Sequence, residues 1–459
     1  LHAHELRRDD RSAAARAAAM IAMYLMMDTG LMAPVRGWLS TADRLLAGSV
    51  ETQAHAVVAM TRTYERFMCG DMEAARHHSE RAIELGRSTG VNPAVVIGMT
   101  ARARVRILDG DFDGGLAELD EVGALLMAGD TDPLTTGMMY CELICAAQGL
   151  GLYDMASEWT EVMEHWRHGP AFGGINGRCR VHRAEMLRIS GPCHEAEAEA
   201  LGACDELRPW MRREFGWPLA ELGNVRLRRG DLAGAEDAFV EAHQHAWSPQ
   251  PGLALLRAAQ GDVRAAAAMI TDAIDVPFNI PSKERPPFGD LRLAPLLDAQ
   301  AEIGFMAGET STVHEAADRL ADIATRYPGR ALQASATLAR ARANLLEGDT
   351  SGAIERCSAS VAAWTDIGAP YEAASARVLL GRAHHAVGRR DAATMEWKAA
   401  EALFRSFGAA LRADETAALT SDTVVPERDP IEVPGHQAAP EVAFVAAHGL
   451  SLIHISEPT

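Results

Sequence analysis

The stretch that decides the fold is AELGNVRLRRGDLAGAEDAFVEA, residues 220–242. Its apolar residues follow helical spacing up to Gly230-Asp231 and again after that dipeptide. Gly230 can adopt the left-handed conformation that ends a helix, and the Asp231 carboxylate can accept hydrogen bonds from the first N–H groups of the next helix. The stretch therefore predicts two helices joined by a tight turn, that is, a helical hairpin.

The same kind of turn recurs along the chain at a nearly fixed step. The steps between these glycines are 39–41 residues, except for one of 31 followed by one of 47, at Gly30, Gly70, Gly110, Gly151, Gly191, Gly230, Gly261, Gly308, Gly348 and Gly388. A period of this size is typical of stacked supersecondary units, each of which buries its apolar faces against its neighbours. We expect an all-α protein, a right-handed α-solenoid of about ten helical hairpins.

Composition excludes several classes of function. The net charge of −19 makes the chain a poor nucleic-acid binder by itself, because phosphate contacts need a basic face. The seven cysteines are scattered and odd in number, which favours a reduced, cytoplasmic setting over a disulfide framework. The longest uncharged run, residues 442–456, is too short to span a bilayer, so no membrane partner is expected.

Proline-rich stretches divide the chain into segments. We expect a first part of the array at 1–275, a loop at 276–290 and a second part at 291–419. Residues 420–450 read as a Pro-rich linker, and 451–459 (SLIHISEPT) look like a non-native, adapter-like tail. The chain opens with leucine rather than methionine, which indicates a fragment of a longer protein.

Two short motifs can be interpreted either as chemical sites or as ordinary turns between helices. Residues 109–114, DGDFDG, match the opening of a calcium-binding loop with Asp120 at the twelfth position, but Gly110 already belongs to the periodic turns. Residues 86–90, GRSTG, match a nucleophile elbow, which requires a strand before the serine and a helix after it. The preceding stretch is helical, so a loop is the better interpretation, and no enzyme is predicted.

Cysteine and histidine residues form two candidate ligand pairs. Cys141 and Cys145 lie one helical turn apart, and Cys179 and His182 share a helix face. A four-ligand site needs a second convergent pair, and none is visible at a matching position. We interpret these residues as buried small side chains and a satisfied histidine, and predict neither a metal nor a cofactor.

Two of the repeats can be superimposed without gaps. Leu222-Gly223, Ala235, Phe239 and Ala242 match Leu380-Gly381, Ala393, Trp397 and Ala400, a pattern that resembles the tetratricopeptide repeat at a longer period. The resemblance implies that the first helix of each hairpin lines a concave surface suited to a peptide or modest ligand. The alternative is that some of these residues only pack between repeats. The inward-facing positions would be Tyr64, Phe67, Arg104, Cys145, Gln148, Glu185, Arg188, Asn224, Arg382 and His385.

Four runs resemble a more specific family, the helical arm of large, ATP-binding actinobacterial LuxR-type transcriptional regulators. They are CRVHRAEMLR at 179–188, RGDLAGAE at 229–236, PQPGLALLR at 249–257 and APYEAA at 369–374. In that family a Pro-rich linker leads to a C-terminal helix-turn-helix, whose start is resembled by HGLS at 448–451. The resemblance implies a region that senses a ligand or protein and controls a DNA-binding domain outside this chain, with DNA a partner only through that domain.

Two other functions stay open at this point. The first alternative is the same arm attached to a class III nucleotide cyclase or another signalling ATPase, where it would serve a different effector domain. A free-standing scaffold that binds proteins without any effector domain is the remaining alternative.

Overall fold

The computed structural model describes residues 2–7, 10–167, 173–210, 212–276 and 289–422. These residues form twenty-two α-helices and a short 3-10 helix at Gly289–Leu293, with no β-strand among them. The first eleven helices are α1 (His2–Arg7), α2 (Arg11–Thr29), α3 (Met32–Leu46), α4 (Gln53–Met68), α5 (Met72–Thr89), α6 (Asn92–Leu108), α7 (Phe112–Met127), α8 (Pro133–Gly149), α9 (Tyr153–Arg167), α10 (Gly173–Ser190) and α11 (Cys193–Leu207). The others are α12 (Gly216–Arg229), α13 (Leu232–Gln244), α14 (Gly252–Ala259), α15 (Val263–Asp275), α16 (Ala294–Ala307), α17 (Thr310–Arg326), α18 (Arg330–Glu347), α19 (Thr350–Ile367), α20 (Pro370–Ala386), α21 (Arg390–Phe407) and α22 (Ala410–Asp422).

The helices pair into ten successive hairpins, from α2/α3 to α20/α21. Within each hairpin the two helices pack together, and the first helices of neighbouring hairpins also pack against one another. We call these first helices, the even-numbered ones from α2 to α20, the inner helices. The predicted all-α, tetratricopeptide-like solenoid of about ten hairpins is confirmed.

The turns within the hairpins have the predicted chemistry. Nine of the ten periodic glycines adopt a positive φ, between 65° and 93°, and Gly191 is the exception. Five aspartates then cap the second helix, each accepting a hydrogen bond of 2.9–3.2 Å from the backbone N–H three residues later, namely Asp71, Asp111, Asp231, Asp262 and Asp349. A left-handed glycine followed by an N-capping carboxylate is thus the standard hairpin turn of this array.

Small residues allow the helices of a hairpin to approach closely. Gly223 faces the ring of Phe239, and a Cβ at this glycine would lie 2.5 Å from the ring atom Cε1. Gly381 faces Trp397 in the same way, four hairpins further along. Both aromatic side chains are buried, so each fills the groove that the glycine leaves open.

The core is continuous across the predicted proline-rich loop. Buried side chains form one cluster that reaches from Ala15 to Leu380, and α15 packs against α16. Most of the loop, residues 277–288, lies outside the described residues, as do residues 423–450 of the linker predicted at 420–450 and the tail at 451–459. Residues 420–422 belong to α22. None of the described helices combines the length and the apolar character needed to cross a membrane.

The array curls until distant hairpins touch. The Arg213 N–H, in the loop before α12, donates a hydrogen bond of 2.7 Å to the Asp28 carbonyl of α2. The Leu150 carbonyl after α8 lies so close to Gly329, at the start of α18, that no Cβ would fit there. Helices α12 and α22 also pack together. Each of these contacts joins hairpins five apart, so the inner helices enclose a space.

Candidate functional site

A cavity of about 880 Å³ is lined by residues of seven consecutive hairpins, from α8/α9 to α20/α21, and residues of the α14/α15 hairpin connect its two walls. Residues of α8, α10 and α12 form one wall, and residues of α16, α18 and α20 contribute to the other. The volume falls within the range of small-molecule sites, about 300–1,000 Å³. Its polar and aromatic lining includes Gln148, Tyr153, Glu185, Arg188, Trp217, Glu221, Asn224, Arg228, Trp247, Asp272, Arg292, Asp298, Glu302, Ser335, Trp364 and Glu372.

Glu185 organises one end of the first wall. Its two carboxylate oxygens accept hydrogen bonds from Trp217 Nε1 at 2.8 Å and from Gln148 Nε2 at 2.9 Å. The carboxylate is buried, and its partners come from the inner helices on either side of α10. These bonds hold the indole and the amide in place at the cavity surface.

A second carboxylate stands one helix further along the same wall. Glu221 accepts a hydrogen bond of 2.5 Å from Arg188 Nε and one of 3.4 Å from Asn224 Nδ2. Burial raises the pKa of Glu221, against the opposing charge of Arg188. The wall therefore contains a charged pair whose carboxyl group protonates more readily than a carboxyl in water.

Acidic groups also stand on the opposite wall. Burial raises the pKa of Asp298, although the Arg342 guanidinium lies 3.1 Å from its carboxylate. Across the lining as a whole there are six carboxyl groups and three guanidinium groups. A net acidic lining with tryptophan surfaces favours a polar ligand with a positive charge.

One ion pair closes the cavity between its walls. Arg228 of α12 pairs with Glu372 of α20, and its guanidinium carbon stands 4.0 Å from the centre of the Tyr371 ring. The same guanidinium donates a hydrogen bond of 2.7 Å to the Arg188 carbonyl. Three inner helices, α10, α12 and α20, therefore meet at Arg228.

The predicted concave residues divide into three groups. Gln148, Glu185, Arg188 and Asn224 line the cavity, and so does Cys145. The predicted residues Arg382 and His385 are exposed on α20 and are not among the cavity residues. Tyr64, Phe67 and Arg104 are buried between inner helices instead.

The buried group surrounds an unpredicted carboxylate, Glu142 on α8. It accepts hydrogen bonds of 2.7 Å from the Tyr64 hydroxyl and from Arg104 Nη1, and the Arg104 guanidinium lies over the Phe67 ring. All of these side chains are buried. They tie α4, α6 and α8 together, and a binding role for any of the predicted concave residues, whether at the cavity or elsewhere, stays a prediction.

A cluster of two thiols and one imidazole is also present, and the sequence pattern did not predict it. The sulfur atoms of Cys141 and Cys145 on α8 and a ring nitrogen of His182 on α10 all lie within 4.8 Å of one another. Cys141 and His182 are 41 residues apart, about one repeat, and this spacing could have revealed the match. Cys179, the predicted partner of His182, does not belong to the cluster.

The two short motifs with a chemical reading take part in ordinary helix ends. Asp111 caps α7 and pairs with Arg106, while Asp109 pairs with Arg76, so both carboxylates already have partners. Residues 86–89 form the last turn of α5, and the loop predicted there is wrong because the helix continues to Thr89. Neither a calcium loop nor a strand-borne serine is assembled at these positions.

No protein-family model matches the chain, and none of the curated proteins does. Among solved structures it is similar to a Rap protein complexed with competence and sporulation factor, at 12% identity and a TM-score of 0.46, over 88% of this chain and 99% of that one. It is similar to the apo form of the quorum sensor NprR from B. thuringiensis at 11% identity and a TM-score of 0.41, over 84% and 97% of the two chains. The Cut9–Hcn1 hetero-tetramer of APC/C follows at 11% and 0.36, over 92% and 93%. All three TM-scores are below 0.5, so the function has to be argued from this chain's own residues.

Proposed function

We propose that this array is the ligand-sensing region of a LuxR-type transcriptional regulator, and that it binds a small polar molecule or short peptide in the central cavity. One observation carries the proposal. Three of the four runs that resemble the family supply residues to the cavity: 179–188 supplies Glu185 and Arg188, 249–257 supplies the Pro249–Pro251 turn, and 369–374 supplies Glu372. The resemblance and the cavity therefore fall on the same part of the fold.

The position of the cavity suits a sensor. Its two walls are connected along the chain by the α14/α15 hairpin, and their far ends meet at the Arg228–Glu372 pair because the array curls. A ligand that contacts both walls binds the curled form better than an opened one, and it therefore shifts the array toward the curled form. By thermodynamic linkage, anything that favours the opened array lowers the affinity for the ligand. An effector domain attached to the array would respond to that change.

The ligand is proposed to carry a positive charge. The lining has more carboxyl than guanidinium groups, and the whole chain carries a net charge of −19. Trp217, Trp247 and Trp364 contribute aromatic surface to the lining, and cations are attracted to such rings. Amide and hydroxyl groups, such as Asn224 and Ser335, can complete the hydrogen bonds.

Three tripeptides that differ in charge test whether the cavity prefers a positively charged ligand. Trilysine, triglycine and triglutamate would be titrated into the chain by calorimetry, and trilysine should bind most tightly and triglutamate least. Ser335→Trp, which fills the cavity, should weaken trilysine at least tenfold. Thr337→Trp lies on the same helix outside the cavity and should bind like the wild type. Equal binding of all three peptides, or equal binding by both variants, would contradict the proposal.

A separate experiment tests the regulatory context. The native reading frame downstream of the linker would be sequenced from genomic DNA. A helix-turn-helix within the next fifty or so codons supports the LuxR-type assignment, whereas a stop codon or a cyclase domain there would overturn it. This result is independent of the peptide titration, because a sensor array with another effector would still bind its ligand.

A further inference from the structure

The cluster of Cys141, Cys145 and His182 has the composition of a metal site. His182 Nε2 lies 2.7 Å from Cys141 Sγ, and Cys145 stands one helical turn further along α8. All three side chains are buried. A Zn²⁺ ion with bonds of about 2.3 Å to sulfur and about 2.0 Å to nitrogen brings its ligand atoms within roughly 4 Å of one another. The three ligand atoms lie within 4.8 Å of one another, and Cys141 Sγ and His182 Nε2 have to move apart from their 2.7 Å contact to admit the ion.

Neighbouring groups support the three ligands. His182 Nδ1 lies 3.3 Å from Glu185 Oε2, within ion-pair distance but outside hydrogen-bond geometry. A carboxylate behind the second ring nitrogen is the usual companion of a metal-binding histidine, because it orients the ring. Arg178 donates hydrogen bonds of 2.7 and 3.1 Å to Cys141 Sγ and can balance the charge of a metal-bound thiolate.

We propose that Cys141, Cys145 and His182 bind one thiophilic metal ion, of which Zn²⁺ is the representative. Two thiolates and one imidazole are ligands that zinc prefers, and three protein ligands leave one coordination position for water or another molecule. Cys145 and Glu185 also line the cavity, so the ion can be reached from it. The site adds a metal to the proposed sensor but does not depend on that function.

Binding requires the release of two protons. Each thiol loses its proton to the solvent and forms a metal–sulfur bond, while neutral His182 donates its Nε2 lone pair, and no oxidation takes place.

Cobalt(II) serves as the spectroscopic probe. One equivalent of Co²⁺ added to the reduced chain should give a thiolate-to-metal charge-transfer band, and one equivalent of Zn²⁺ should abolish it. Cys141→Ser and Cys145→Ser should each reduce the band strongly. Cys357→Ser, which changes a buried cysteine on α19 outside the cluster, should leave it intact. Absence of the band in the wild-type chain would overturn the proposal, whatever the variants do.

Glu185 is assigned as a positioning residue for His182. Glu185→Gln should lower zinc affinity about 10–100-fold, the range found when such companions are lost. Zinc should also raise the thermal midpoint of the wild type, since it binds only the folded state. An unchanged affinity in Glu185→Gln would remove Glu185 from the site, and the same loss in Cys357→Ser as in Cys145→Ser would show that the effect is one of folding.

Discussion

Arg228 of α12 forms an ion pair with Glu372 of α20, 144 residues further along the chain. The two side chains are largely shielded from solvent, and the guanidinium also stacks on Tyr371. No local sequence relationship brings these residues together. They meet only because the inner helices curl round the cavity. The ion pair therefore forms only in the curled array.

Loss of this pair should therefore destabilise the protein. Arg228→Ala removes the ion pair with Glu372, the hydrogen bond to the Arg188 carbonyl and a cation–ring contact, and we expect the free energy of unfolding to fall by about 1.5–3 kcal/mol in urea titrations. Arg405→Ala is the control, since it removes two surface pairs, with Glu401 one helical turn away and with Asp414 of α22, and it should cost about 0.5 kcal/mol or less. Equal costs for the two variants would mean that Arg228 and Glu372 do not hold the array closed.

The close approach of Gly329 to Leu150 allows a second test of the contacts between distant hairpins. A Cβ there would collide with the Leu150 carbonyl, which belongs to the backbone and cannot rotate away. Gly329→Ala should cost about 1–3 kcal/mol, as other overpacking substitutions do. Gly37→Ala, inside α3 with no atom within 4 Å of the new methyl group, should instead stabilise the protein by about 0.5–1 kcal/mol. If Gly329→Ala instead stabilises the protein, the hairpins that carry Leu150 and Gly329 must lie further apart than they do in the structure.

The cluster around Glu142 should behave as a structural element. Glu142→Ala leaves Arg104 buried without its carboxylate, and we expect a loss of about 3–5 kcal/mol in chemical denaturation. Tyr64→Phe removes only one hydrogen bond and should cost about 1 kcal/mol. If Glu142→Ala costs no more than Tyr64→Phe, the Arg104 charge must be reaching solvent, and the predicted binding role of Tyr64 and Arg104 would gain support.

Protonation of Glu221 should be visible in the pH dependence of stability. Because burial raises its pKa above the usual 4.5, the folded state binds the proton more tightly than the unfolded state. The resulting contribution to stability is complete below about pH 4.5 and is lost as the pH rises through the folded pKa. Relative to Glu221→Gln, the wild type should therefore gain unfolding free energy as the pH falls from neutral toward 4.5. A relative loss over that range would show that Arg188 outweighs burial.

The sequence predicts the repeats well because their turns are local. The Gly230-Asp231 dipeptide carries both the left-handed glycine and the capping carboxylate, so nothing distant is needed to define the hairpin. A second set of glycines with positive φ, including Gly90 and Gly368, marks turns between hairpins, and these turns were not predicted.

The candidate site is less predictable because closure depends on small rotations summed over many hairpins. The register places Tyr64 and Glu185 on inner helices alike, yet only Glu185 reaches the cavity. No spacing in the sequence pairs Arg228 with Glu372 or brings Leu150 to Gly329, since these contacts arise between hairpins four or five apart. The contact between Cys141 and His182 is intermediate in predictability, because the repeat length alone brings the two residues to matching positions on neighbouring inner helices.

A ligand in the cavity should hold the two walls of the curled array together. Hydrogen–deuterium exchange of the chain with and without trilysine measures this most directly. We expect slower exchange in α8, α10 and α12 and, at the same ligand concentration, in α16, α18 and α20. Protection confined to one wall, or identical protection in Ser335→Trp, would contradict it.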